Sequence, residues 1–233
     1  ANVNVQEGQT AVTTVVADDQ EDDAFSLTIT GGLDKDLFTL DGGSGVLALA
    51  VAKDFENPTD SDTNNSYIVE VTVTADDDAS LTDTQTITVN LTNKQEAPSI
   101  TSNGGGDSAV IDVDENTADV ATVTAFDPDE DDGLAYTITG GADKDLFDIN
   151  AAFGVLGFKS APDFESPADV DGDNSYILEV TVTDDGSGNL TDVQTLTIKV
   201  ADLNEVPVIT SNEGSATVQI SIKEGITEVT TVT

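Results

Sequence analysis

The sequence contains no His, no Cys and no Trp. Without His or Cys there is no Ser-His-Asp triad, no Cys nucleophile, no Cys/His zinc site and no thiol redox centre. The same absence removes any disulfide framework, so cysteine usage leaves the redox compartment open. Cations are scarce as well. Seven Lys and no Arg stand against 46 Asp and Glu, a formal net charge of −39 over 233 residues. Nucleic acid is an unsuited partner, because phosphate affinity needs a basic face. An anionic membrane surface is disfavoured for the same reason. Long apolar runs are missing too, so no segment is expected to span a bilayer. No signal peptide or lipidation motif is visible, and the sequence reads as an internal or mature fragment. Aromatics are few, three Tyr and eight Phe, so any cores are small. Such acidity can also mark disorder, but here the charge is interleaved with regular apolar alternation.

What is present is repetition. Thr30-Gly31-Gly32-Leu33-Asp34-Lys35-Asp36-Leu37-Phe38 recurs as Thr139-Gly140-Gly141-Ala142-Asp143-Lys144-Asp145-Leu146-Phe147. Asp54-Phe55-Glu56 recurs as Asp163-Phe164-Glu165, Ser66-Tyr67-Ile68 as Ser175-Tyr176-Ile177, and Pro98 as Pro207, each 109 residues on. Glu7, Glu115 and Glu224 each close a short alternating run. The pattern predicts repeat one over 1–97, repeat two over 98–206, and the first strands of a truncated third repeat over 207–233. Such a window, out of phase with its repeat, is expected of a piece cut from a longer array.

Within each repeat the apolar period is two, carried by Val, Ile and Thr and punctuated by Gly and Asp clusters. The run from Tyr176 to Thr183 is one example. About seven strands per 109 residues fits tandem antiparallel β-sandwiches of immunoglobulin-like size. Phe38, Phe55, Tyr67, Phe147, Phe164 and Tyr176 are assigned to the sandwich cores. Asp34-Lys35-Asp36 and Asp143-Lys144-Asp145 read as local ion pairing where a strand begins.

The carboxylates occupy fixed places. Glu115 follows the first strand of repeat two, and Asp127-Pro128-Asp129 the second. Asp163-Phe164-Glu165 comes mid-repeat and is followed by Asp169, Asp171 and Asp173. Asp184-Asp185-Gly186 ends the Tyr176 run, and Asp202-Leu203-Asn204-Glu205 precedes Pro207. These are strand ends and loops, which a sandwich gathers at its two poles. Carboxylates about 5 Å apart repel by roughly 3 kcal/mol at an effective dielectric of about 20. With no Arg and few Lys beside them, a hard divalent cation is the natural counter-charge. An all-oxygen set of carboxylates, amides and carbonyls suits Ca²⁺. An EF-hand is excluded by register. Counting from Asp169, position six is Asn174 instead of Gly, and position twelve is Val180 instead of Glu. The ligands must therefore converge from distant parts of the chain.

At this point the chain resembles the cadherin repeats, specifically the cadherin-like repeats of large bacterial surface adhesins. That family shows a Glu after its first strand, an Asp-x-Asp after its second, an Asp-x-Glu and an Asp-x-Gly flanking a later strand, and an Asp-x-Asn-(Asp/Glu) run before a Pro at the domain end. The resemblance extends over the whole chain and implies Ca²⁺ at the junction of consecutive repeats. By position, the complete junction would use Glu7, Asp54 and Glu56 of repeat one. Its linker would add Asn93, Gln95 and Glu96, and repeat two Asp127, Asp129 and either Asp184 or Asp185. A second junction would use Glu115, Asp163, Glu165, Asp202, Asn204 and Glu205. The first linker departs from the pattern, because Asn93 stands where the family has Asp. Asp18, Asp19 and Glu21 compete for the Asp-x-Asp role in repeat one. The loops holding Asp60 and Asp62, and Asp169, Asp171 and Asp173, are either further ligands or polar turns with Asx hydrogen bonds.

The implied function is a calcium-rigidified extender of an extracellular bacterial adhesin that holds neighbouring repeats as a rod for adhesion or biofilm attachment. A self-associating fibre subunit with homophilic contacts, or a polysaccharide-binding module, is the alternative. A two-carboxylate hydrolase is disfavoured, since acid pairs repeated once per repeat read better as repeated ion sites, and no enzyme is expected. The candidate ligand positions take eighteen of the 46 acids. The remainder reads as a repulsive, soluble surface suited to saline surroundings.

Overall fold

The computed structural model describes residues 1–19, 24–130, 132–211, 217 and 219–227. Glu21 lies outside the described residues. Repeat one contains β1 (Asn2–Gln6), β2 (Ala11–Thr14), β3 (Phe25–Gly31), β4 (Phe38–Leu40), β5 (Val46–Leu49), β6 (Ser66–Ala75) and β7 (Thr82–Thr92). Repeat two contains β8 (Ser99–Ile100), β9 (Ser108–Asp114), β10 (Asp119–Thr122), β11 (Ala125–Phe126), β12 (Leu134–Gly140), β13 (Phe147–Ile149), β14 (Val155–Phe158), β15 (Ser175–Asp184) and β16 (Thr191–Ala201). No helix among the described residues is long and apolar enough to cross a membrane. The described residues beyond 206 carry no strand, and nearly all are exposed.

Alternation becomes two sheets. Repeat one has a four-stranded sheet in the order β1-β7-β6-β3 and a three-stranded sheet in the order β2-β5-β4. Repeat two copies both, as β12-β15-β16-β9 and β10-β14-β13, and adds a short β11-β8 ribbon. The first strand of each large sheet runs parallel to the last: Val3 lies opposite Val89, and Val110 opposite Thr197. The other neighbours described within these sheets are antiparallel. This is the expected all-β sandwich architecture.

The chain divides into two compact units. The first comprises Ala1–Thr101, Thr124–Tyr136 and Thr181–Val193, and the second Ser102–Val123, Thr137–Val180 and Gln194–Thr233. Residues 124–136 and 181–193 thus group with repeat one, although by sequence periodicity they belong to repeat two.

In the first unit the core lies between the two sheets. Leu47 and Leu49 of β5 meet Tyr67, Val69 and Val71 of β6 and Ile87, Val89 and Leu91 of β7. Each fully buried aliphatic side chain of this kind contributes about 1.5–3 kcal/mol. The second unit buries Phe147, Leu156, Phe158, Tyr176, Leu178, Leu196 and Ile198. The rings of Phe147 and Phe158 lie 4.3 Å apart, and Tyr176 meets Phe158 edge-on at 5.1 Å. Four of the six aromatics assigned to the cores are buried, and Phe55 and Phe164 are half-buried.

The repeated Thr-Gly-Gly motif has a steric cause. Gly32 and Gly141 sit at φ +100° and +96°, where a Cβ would strike the backbone of Ile68 or Ile177. That close approach places the following Asp. Asp34 accepts from Ser61 N and Ile68 N, each at 2.8 Å, and Asp143 accepts from Val170 N and Ile177 N at 2.8 and 2.7 Å. Both carboxylates are buried. The ion pairing read at this motif is therefore confined to its exposed Lys-Asp half, Lys35–Asp36 and Lys144–Asp145. The leading Asp instead clamps a loop against a long strand.

Candidate metal centre

Glu7 directly follows β1 and is 4% exposed. Its Oε2 accepts from Phe55 N at 2.9 Å and its Oε1 from Lys94 N at 2.7 Å. One buried carboxylate thereby ties the Asp54-Phe55-Glu56 turn to the chain leaving β7. The turn is set locally by Asp54, whose Oδ1 accepts from the N–H groups of Glu56 and Asn57, both at 3.1 Å. Carboxylate oxygens of Glu7, Asp54 and Glu56 lie within 4.8 Å of one another.

A second acidic group belongs to the same compact unit. Oxygens of Asp127, Asp129 and Asp132 also lie within 4.8 Å of one another. Asp127 Oδ1 accepts from Asp129 N at 3.0 Å, which closes the turn. The segment 93–96 joins the two groups. Asn93 Nδ2 donates to Asp129 Oδ1 at 2.7 Å, Gln95 Nε2 to Asp129 Oδ2 at 2.7 Å, and Glu96 N to Asp129 Oδ2 at 2.9 Å. Gln95 Nε2 also donates to Asp132, and Gln95 Oε1 accepts from Ser187 N. Asp184 is buried, with its carboxylate on Gly186 N and Leu190 N. Asp185 is exposed and turned to Gly133 N at 2.6 Å. Phe55, Glu56, Asn93, Gln95, Asp129 and Asp132 line an open cleft of about 310 Å³.

The second unit repeats the first arrangement. Glu115, 1% exposed, accepts from Phe164 N at 3.0 Å and Leu203 N at 2.8 Å. Asp163 Oδ1 accepts from Glu165 N at 3.1 Å. Glu115, Glu165 and Asp202 bring oxygens within 4.8 Å of one another. Glu205 accepts from Asn116 Nδ2 at 3.0 Å, and Asn204 is exposed. Asp169, Asp171 and Asp173 form a fourth acidic group. At the corresponding loop of repeat one, Asp60 is buried and accepts from Asn64 N and Asn65 N, and Asp62 accepts from Asn64 Nδ2. Asp18 is exposed and Asp19 half-buried.

Crowding shows in the acidities. Burial, reinforced by the charges of Glu7, Glu96 and Asp129, pushes the Glu56 carboxyl up to about 7. Glu96 is raised by burial and then by Glu7 and Asp129. Asp127 is raised by burial and then by Asp129, Asp132 and Asp184. Glu165 is raised by burial and then by Glu115, Asp202 and Glu205. Glu115 runs the other way, lowered by the two backbone N–H groups it accepts from.

Residues 109–201 match the family model of the cadherin domain. That stretch is a cadherin-like domain. The solved structures agree on the fold. Human protocadherin-24 EC1-2 superposes with a TM-score of 0.59 at 20% identity, over 87% of this chain and 95% of that one. Human CDH23 EC21-23 gives 0.61 at 17% identity, over 100% of this chain and 81% of that one. Protocadherin gamma B2 cadherin domains 3-6 give 0.51 at 20% identity, over 87% of this chain and 50% of that one. No curated protein matches the sequence.

The donor chemistry of these acidic groups fits a hard cation. Glu56 Oε2 and Asp127 Oδ2 are buried acceptors with no hydrogen-bond donor, and such orphans are costly unless something satisfies them. Lysine does not. Among the described residues the ion pairs join Lys35, Lys144 and Lys159 to Asp36, Asp145 and Asp148, outside every acidic group. Lys53 is buried, but its ammonium donates to Thr59 Oγ1 at 3.0 Å and lies over the Tyr67 ring. Glu7, Asp54, Glu56, Glu96, Asp127 and Asp129 could hold Ca²⁺, with Glu115, Asp163, Glu165 and Asp202 as the second set.

Asp132 was not singled out in the sequence. Its signal was there, in the acidic run from Asp127 to Asp132, but only the fold shows which member of the run turns inward. Asn65 and Asn174 were missed as well. They share one position in the two repeats and φ values of 61° and 63°. Each donates its amide to a backbone carbonyl, that of Phe55 or Phe164, and buries an unpartnered Oδ1.

Proposed function

We propose that this chain is a calcium-stiffened stretch of tandem cadherin-like domains, 1–97, 98–206 and the start of a third at 207–233, from an extracellular bacterial adhesin. The observation that carries the reading is the convergence on Asp129. Donors from Asn93, Gln95 and Glu96, which follow repeat one, meet a carboxylate of repeat two beside the Glu7, Asp54 and Glu56 group, whose Glu56 feels the Asp129 charge. Without a cation these acids repel and the connection between repeats loosens. With Ca²⁺ the same oxygens share one ion and the connection stiffens. Extracellular modules of this class bind Ca²⁺ at about 10⁻⁴–10⁻³ M, and calcium at about 10–100 times Kd adds roughly 1.4–2.7 kcal/mol per site. The role is mechanical, a spacer for adhesion or biofilm attachment, with neighbouring repeats as the partners and no chemistry performed on a substrate.

Small-angle scattering with calcium and with chelator tests this. The maximum dimension and rigidity should fall on chelation, and Asp54→Asn should copy the chelated profile. Identical profiles in both conditions would discard the reading.

A further inference from the structure

Repeat one buries a lysine. Lys53 is 7% exposed, and its ammonium donates to Thr59 Oγ1 at 3.0 Å and stands 5.7 Å from the centre of the Tyr67 ring. The backbone around it is held alike in both repeats. Gly8 N donates to Lys53 O, and Asn116 N to Pro162 O, both at 2.9 Å. Ala50 N donates to Leu37 O at 2.8 Å, and Lys159 N to Leu146 O at 2.9 Å. The Tyr67 hydroxyl accepts from Thr59 N at 3.4 Å, and the Tyr176 hydroxyl from Ala168 N at 3.1 Å.

The side chains on that shared frame differ. Pro162 stands 109 residues after Lys53, and Ala168 stands 109 residues after Thr59. Tyr176 keeps the place of Tyr67. Repeat two has thus lost the lysine and the hydroxyl that received it, and kept the ring. What it has there is a pocket of about 220 Å³ within the second compact unit, walled by Leu146, Phe158, Pro162, Ala168 and Tyr176. Asp145 and Asp163 also line it, and both are exposed. Lys159, at the same pocket, has its ammonium engaged, donating to Asp145 O at 2.8 Å and standing 3.8 Å from the Asp148 carboxylate.

We propose that this pocket docks a lysine side chain of a partner polypeptide, which takes from outside the place that Lys53 fills from within repeat one. The apolar walls suit the methylene stem, and the tyrosine ring suits the ammonium. Asp145 and Asp163 supply negative charge beside it, and a chain of net charge −39 draws cationic partners toward its surface. An acidic side chain would meet repulsion here, and an uncharged one would leave the ring and the carboxylates unused.

NMR of the whole chain, with calcium held constant, tests this through the Ala168 amide and the Tyr176 ring. The probes are a glycine-serine pentapeptide with one central lysine, the same peptide with norleucine in its place, and n-butylamine. The lysine peptide should shift both signals and bind roughly fivefold more tightly than the norleucine peptide. Equal binding of the two peptides overturns the proposal, because the ammonium would then count for nothing. Butylamine binding as tightly as the lysine peptide overturns the polypeptide partner in favour of a free amine. Pro162→Lys with Ala168→Thr, which copies repeat one, should fill the pocket and abolish the shifts. Undiminished binding in that double variant with wild-type circular dichroism overturns the proposal. If the double variant misfolds, Lys53→Ala decides: it should open the matching pocket and gain peptide-dependent shifts at Thr59 and Tyr67, and their absence overturns the proposal.

Discussion

Asn93 donates its side-chain amide to Asp129 at 2.7 Å. A neutral donor thus stands where the resemblance to bacterial cadherin-like repeats led us to expect a carboxylate. The amide satisfies Asp129 without a cation, where a carboxylate would add a like charge. Asn93→Asp removes a hydrogen bond to a charged group and adds a like charge, a cost of roughly 3 kcal/mol at an effective dielectric of about 20. Calcium-free stability, measured by urea denaturation, should fall by about that amount. Calcium affinity should rise roughly tenfold, about 1.4 kcal/mol. Unchanged affinity would show that Asn93 does not face the ion.

Glu7 is a structural clamp as well as a candidate ligand. Its two oxygens hold Phe55 N and Lys94 N. Truncation to Ala strands two N–H groups at about 1–3 kcal/mol each where they stay buried. Glu7→Ala should therefore destabilise the calcium-free first unit by about 2–6 kcal/mol, whereas Glu7→Gln, which keeps one acceptor, should lose about half of that. Denaturation midpoints without calcium read this directly. A calcium-dependent loss alone would mean that Glu7 serves only as a ligand.

The raised acidity constant of Glu56 fixes the sign of a pH effect. The unfolded chain releases this proton near 4.5, while burial and the charges of Glu7, Glu96 and Asp129 hold it in the fold until about 7. Between those values the folded state binds more protons, so stability falls as pH rises. The contribution is complete below 4.5 and gone above about 7. Glu115 has the opposite sign. Its lowered value stabilises the second unit above the unfolded value of 4.5, and that stabilisation is lost as pH falls through the folded value. Calcium-free protein should lose stability in the first unit from pH 4.5 to 7, and Glu56→Gln should flatten that slope. A slope that survives the substitution would assign it to other acids.

Period-two alternation and the 109-residue repeat made the sandwich legible in the sequence, because burial on one face of a strand writes itself directly into the residue pattern. Part of the acidic geometry was legible too: Glu7 and Glu115 follow matched strands and make matched hydrogen bonds. Asp34 was not. Its neighbour Lys35 suggested an exposed pair, and only the approach of Gly32 to the Ile68 backbone turns the carboxylate inward. Asp132 stayed hidden for a similar reason, since one-dimensional spacing cannot choose among acids in a run. That Asn93 and Gln95 also donate to Asp129 depends on side-chain rotation, which sequence does not encode.

Thr63 occupies φ 55° in the loop of repeat one, and the matching residue of repeat two is Gly172 at φ 73°. A β-branched side chain in the left-handed region crowds its own backbone at a cost of about 1–2 kcal/mol. Glycine avoids that cost and gives back about 0.5–1 kcal/mol through its freer unfolded state. The net expectation for Thr63→Gly is a gain of about 0.5–1 kcal/mol in the first unit, with Gly172→Thr losing a similar amount in the second. The two substitutions should leave calcium stoichiometry unchanged, because neither side chain carries a candidate ligand. Urea midpoints for the pair give the answer. A loss of stability in Thr63→Gly would mean that the threonine makes a contact worth more than its strain.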